Sequence, residues 1–130
     1  MAERGTAKLL KVINCYNTLG ENVLWHDAEQ AIYWIDIEKA EVLRYHPQSS
    51  ALTRYALPER IGSFAFIEPT QASDFDIIAA FASGFALYHL ATGAIKWLVR
   101  PQHMAGLRFN DGRTDRQGRF WAGTMVEQAA

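Results

Sequence analysis

Apolar and polar residues alternate along this chain in short runs, and no window sustains the spacing of an amphipathic helix. The alternation predicts strands over 9–13, 22–26, 31–37, 42–46, 52–57, 63–67, 75–81, 85–90, 95–99 and 119–124. Turn clusters divide them: Asp27-Ala28-Glu29, Pro47-Gln48-Ser49-Ser50, Ile67-Glu68-Pro69-Thr70, Ser83-Gly84 and Thr92-Gly93. The class is all-β, and no low-complexity tract or linker divides residues 1–130.

Near the C-terminal end, Asn110-Asp111-Gly112 reads as a turn, because these residues tolerate left-handed backbone, and Asp115-Arg116-Gln117-Gly118 reads as a second. A repeat is also visible. The segment Leu43-Arg44-Tyr45-His46-Pro47 lines up with Ala86-Leu87-Tyr88-His89-Leu90 at an offset of 43. Gln30-Ala31-Ile32-Tyr33-Trp34 echoes Gln117-Gly118-Arg119-Phe120-Trp121 at an offset of 87, close to twice as far. Four-stranded propeller blades repeat about every 40 to 45 residues, so the expected architecture is a β-propeller, with roughly three blades in this chain.

Composition narrows the partners without changing the fold. The 130 residues are 49% hydrophobic and 21% charged, an ordinary globular balance, and the formal net charge of -1 gives no reason to expect nucleic acid or an anionic membrane. The single Cys15 forms no internal disulfide, the N-terminus interrupts its apolar residues too often for a signal peptide, and no run is long enough to span a bilayer. A cytoplasmic location is the expectation. No GxSxG elbow and no P-loop occurs, which argues against a serine esterase and a nucleotide enzyme.

The stretch from Arg108 to Met125, RFNDGRTDRQGRFWAGTM, resembles the signature of the senescence marker protein, gluconolactonase and luciferin-regenerating enzyme (regucalcin-like) family. Leu19-Gly20-Glu21 followed by Trp25, and Ala31-Ile32-Tyr33-Trp34-Ile35-Asp36-Ile37, occur in that family's order. The resemblance implies the first half of a six-bladed β-propeller whose complete form hydrolyses sugar lactones with a divalent metal: Ca, Zn, Mn or Mg. It also implies roles. Glu21 matches the metal-binding Glu, though Asn22-Val23 follows it where the family has a small residue and Pro. Arg108 and Asn110 match the sugar-contacting pair, projecting from a loop over the metal. A further acidic substrate contact falls at Gln128, with Glu127 one position early, so its charge is absent.

The remaining metal ligands and the base of that family lie in later blades, so the resemblance assigns no catalytic residue to this half. A pure, monomeric chain is expected to have little lactonase activity, and a second chain or a C-terminal half would complete the ring. The alternative is a non-catalytic calcium- or sugar-binding fragment, or an assembly module using an open blade edge. The four histidines lack metal-ligand spacing, and Trp25, Trp34, Trp97 and Trp121 are expected to pack between sheets.

Overall fold

In the computed structural model, residues 5–69 and 74–127 are described, and they form ten strands and no helix. The first sheet contains β1 (Gly20–His26), β2 (Ala31–Asp36), β3 (Glu41–His46) and β4 (Ala51–Ala56), antiparallel in sequence order. A second sheet repeats the plan with β5 (Ile61–Phe66), β6 (Ile77–Phe81), β7 (Gly84–Tyr88) and β8 (Ile95–Val99). A third begins with β9 (Leu107–Thr114) paired to β10 (Phe120–Val126). The repeat seen in the sequence is thus structural: Tyr45 and Tyr88 sit on the third strand of successive sheets, while Trp34 and Trp121 sit on the second strand of the first and third.

Tight turns make the meanders possible. In the first sheet, three four-residue connections each end on a residue with left-handed backbone, Gln30, Ala40 and Ser50, with φ of 53°, 52° and 61°. Each is closed by a backbone bond from that residue's N–H, to Asp27 at 3.2 Å, Ile37 at 3.3 Å and His46 at 2.8 Å. Such a residue gives a short connection the twist that flanking strands demand.

The core lies between the first two sheets. Tyr33, Ile35, Ile37 and Val42 pack against Ile61, Phe64, Ile77, Phe81 and Tyr88, all essentially removed from water. Edge-on contacts between Tyr33 and Phe66 (4.9 Å between centroids) and between Phe64 and Phe66 (5.7 Å) fix the seam. A second seam joins the third sheet, where Phe85 meets Phe109 at 4.8 Å and Phe120 at 5.5 Å. Sheets stacked face to face in this way, with one strand of each directed inward, are the wedges of a partial propeller.

Asp36, wholly buried, anchors the entry to the first wedge. Its carboxylate accepts bonds from the N–H groups of Thr18 (2.8 Å), Leu19 (3.1 Å) and Lys39 (3.2 Å) and from the Asn17 amide (3.3 Å). Burial alone would push its carboxyl upward, but these donors outweigh it and hold the group below the usual carboxylate range.

Several expectations are corrected. Residues 9–13 form no strand: the segment makes no ladder with a neighbour, and Leu9 and Leu10 are exposed. It is held instead by side chains, including Lys11 Nζ to Ser50 Oγ at 2.9 Å. Asn110-Asp111-Gly112 is not a turn but lies within β9, where Asn110 and Asp111 oppose the single residue Gly123 as a β-bulge before Gly112 pairs with Ala122. The third wedge contributes two strands among the described residues rather than four. Trp34 and Trp97 are partly buried, Trp97 against Phe81, but Trp25 and Trp121 are 49% and 62% exposed, because no sheet covers their faces among the described residues. No helix among the described residues is long and apolar enough to cross a membrane.

Candidate functional site

The innermost strand of each wedge, β1, β5 and β9, sets the geometry of the site. Their later portions line one groove of about 430 Å³, formed by Asn22 to Trp25, Phe64 to Phe66 and Asp111 to Thr114, so the three strands run the same way. Glu21, Gly62 and Arg108 are each the second residue of their strand. The opposite end of the stack therefore gathers the strand starts, and with them Glu21 and Arg108.

Arg108 and Asn110 are brought together. Both belong to β9 rather than to a loop, two residues apart and on one face of the strand, because side chains alternate across a sheet. The Arg108 guanidinium, only 7% exposed, donates from Nη1 to Asn110 Oδ1 at 3.0 Å and to the Phe109 carbonyl at 3.1 Å. A guanidinium only donates, so the oxygen of the Asn110 amide must face it, and Nδ2 points away. The backbone beneath Asn110 is clamped by β5: Ser63 Oγ donates to the Asn110 carbonyl at 2.8 Å, and Gly62 lies so close that a Cβ there would meet the Asn110 Cα at 2.7 Å. Asp111 Oδ1 accepts from the Gly112 N–H at 2.9 Å, a local bond within the strand.

Glu21 stands apart from this pair. It is exposed, in a groove of about 280 Å³ with Asn17, Gly20, Asn22, Val23 and Trp34. A bulge interrupts the β1 ladder between Glu21 and Leu24, and Asn22 takes a φ of 55° there. Asn and Asp enter that region more readily than other side chains, so Asn22 supplies a bend that Pro would not. The Asn22 Nδ2 is buried without a hydrogen-bond partner, an orphan beside the carboxylate. Glu21 fits as one hard oxygen donor for a divalent cation, but such ions ordinarily take about six or more oxygens. Among the described residues no group of three or more His, Cys, Asp or Glu side chains could hold a metal ion, so they do not form a complete site. Gln128 lies outside the described residues.

Glu127 is the acidic side chain that sequence reading passed over. Its Oε2 lies 3.2 Å from Arg108 Nε, while Arg60 binds both its oxygens, with Nη2 to Oε1 at 2.5 Å and Nη1 to Oε2. Arg60 is the main cause holding the Glu127 carboxyl below its ordinary range. The signal was hidden in a register. The β9–β10 ladder slips by one residue between Ala122 and Thr124, so Arg108 pairs with Met125 and shares a face with Glu127. An unbroken ladder from Phe120↔Thr114 would have put Gln128 on that face instead.

Comparison with known proteins places this arrangement in context. Residues 19–130 match the family described as SMP-30/Gluconolactonase/LRE-like region. The chain is 35% identical over 113 residues to an L-arabinolactonase of Azospirillum brasilense, covering 87% of this chain and 36% of that protein. It is 35% identical over 116 residues to a 6-deoxy-6-sulfogluconolactonase of Pseudomonas putida, covering 88% of this chain and 38% of that one. The chain therefore spans little more than a third of these relatives. Among solved structures it superposes on a calcium-binding protein, regucalcin, from Agrobacterium tumefaciens, with a TM-score of 0.74, 31% identity, and coverage of 85% of this chain and 36% of that one.

Proposed function

This chain belongs to the SMP-30/gluconolactonase/LRE-like family, and from that premise we propose that it supplies part of the site of a sugar lactonase acting with a divalent cation. Sugar lactonases are among its relatives. The observation that carries the reading is the bonded pair of Arg108 and Asn110 at the end of the wedge stack where Glu21 also begins its strand.

In this reading Arg108 and Asn110 bind and orient the lactone, since guanidinium and amide donors suit its carbonyl and ring oxygens. Glu21 is one ligand of the cation, with further ligands from outside the described residues. When bound, the cation would supply Lewis-acid polarisation of the carbonyl. Burial of Arg108 keeps water from competing for its donors, and the ring is completed by further wedges or a second chain. Gln128 remains a proposed substrate contact through its amide.

A second reading, a non-catalytic binding or assembly module, is favoured by the exposed Val23, Trp25, Trp121 and Val126 on the outer faces of the stack. Sizing the particle while following gluconolactone hydrolysis, with and without a chelator, separates the two. Chelator-sensitive hydrolysis by an assembly containing this chain supports the lactonase; an inert particle that still self-associates or binds calcium supports the module. Brisk metal-dependent hydrolysis by the isolated monomer would overturn the incomplete-site reading.

A further inference from the structure

We infer that Glu127 is a positioning residue for the Arg108–Asn110 pair, held in place by Arg60, and that the pair consequently presents only donors to a ligand. The inference rests on the reading above that Arg108 and Asn110 touch the substrate. A guanidinium as buried as that of Arg108 needs a charged partner to offset its lost hydration. Glu127 is that partner, at 3.2 Å from Nε, and its side chain is 29% exposed. Left alone, such a carboxylate would turn toward water. Arg60 prevents this with a two-pronged contact, and Glu38, 3.8 Å from Arg60 Nη1, extends the row of alternating charges.

The row links three wedges at the end where the inner strands start. Glu38 comes from the turn after β2, Arg60 immediately precedes β5, and Glu127 follows β10. Its effect on Arg108 is specific. Nε is committed to Glu127, and Nη1 is committed to the Phe109 carbonyl and Asn110 Oδ1. Among the described residues Arg108 Nη2 and Asn110 Nδ2 make no hydrogen bond, and both are donors. The row of Glu38, Arg60, Glu127 and Arg108 balances two positive against two negative charges, so any selectivity rests on its hydrogen-bond donors. The two remaining donors select ligands rich in acceptor oxygen, a lactone carbonyl or the carboxylate of an aldonic acid, over ligands that offer hydroxyl donors.

The test uses the side-chain Nε–H resonance of Arg108, assigned with Arg108→Lys, in the unaltered protein, in Glu127→Gln and in Arg60→Met. Loss of a charge-assisted bond is expected to speed exchange of that proton about tenfold in E127Q, with the same direction in R60M. In lactone hydrolysis by an assembly that completes the ring around this chain, E127Q should raise KM about tenfold while kcat changes much less, a split that a loss of fold would not give. Unchanged exchange in folded E127Q overturns the inference whatever the activity. If E127Q does not fold, R60M decides on the same criterion. Absence of lactone hydrolysis even in an assembly that completes the ring around the unaltered chain would sink the functional reading alone, since the resonance still reports whether Glu127 fixes Arg108.

Discussion

Replacing Gly62 with Ala is the sharpest test of how the inner strands position Asn110. A Cβ at Gly62 would meet the Phe109 carbonyl oxygen at 2.5 Å, and the Asn110 Cα and carbonyl oxygen at 2.7 Å each. Ordinary van der Waals contact begins at 3.4 Å, so β9 must retreat from β5 by about 0.7–0.9 Å. All three obstacles are backbone, and no flexible side chain is available to move instead. Overpacking of this kind costs about 1–3 kcal/mol, and the stiffer unfolded chain returns about 0.4–1 kcal/mol, so a net loss of about 1–2 kcal/mol is expected. The retreat also stretches the 2.8 Å bond from Ser63 Oγ to the Asn110 carbonyl, adding about 1 kcal/mol if it breaks.

Urea unfolding followed by tryptophan fluorescence measures the loss as a lower midpoint at constant slope. The same displacement moves Asn110, and Arg108 with it on β9, relative to β1 and Glu21. Misplacement by about 1 Å can cost on the order of a hundredfold in turnover, so lactone hydrolysis by an assembly that completes the ring should fall by more than the stability change explains. A G62A protein with unchanged midpoint and unchanged Asn110 amide resonances would refute the close contact between the inner strands.

Two further substitutions probe the carboxylates that hold the scaffold. Asp36→Ala leaves the N–H groups of Thr18, Leu19 and Lys39 without their acceptor and should destabilise by about 3–5 kcal/mol in urea; a loss below about 1 kcal/mol would show that these donors find other partners. Asp115, whose pKa is lowered to about 2 by the Trp121 indole and then by the backbone and guanidinium of Arg119, contributes stability that is present above the ordinary carboxylate pKa and is lost as pH falls toward about 2. The Trp121 indole N–H resonance should therefore titrate near pH 2. Asp115→Asn should abolish that step, and an unshifted titration at the usual carboxylate pH would contradict the 2.9 Å bond.

The sequence by itself carried the class and the wedge period, and its resemblance to the family singled out Arg108 and Asn110. Class and period are local, since alternation with period two decides which side chains share a face; that Arg108 and Asn110 stand two apart on a strand instead of in a loop was decided by the structure. The sequence misread Asn110-Asp111-Gly112 as a turn, because the same residues that favour a turn also serve a bulge, and β9 continues past them to pair with β10 on either side. Gly112 is required there for close approach instead, since a Cβ would meet the Trp121 carbonyl at 2.5 Å and Ser63 Oγ at 2.6 Å. Only the tertiary structure decided which acidic residue serves Arg108. One extra residue on β9, at Asn110–Asp111 opposite Gly123, sets which face of β10 meets Arg108, and Arg60, 67 positions from Glu127, completes the contact. A bulge and a contact between wedges depend on how whole strands settle against one another, which no local pattern of residues encodes.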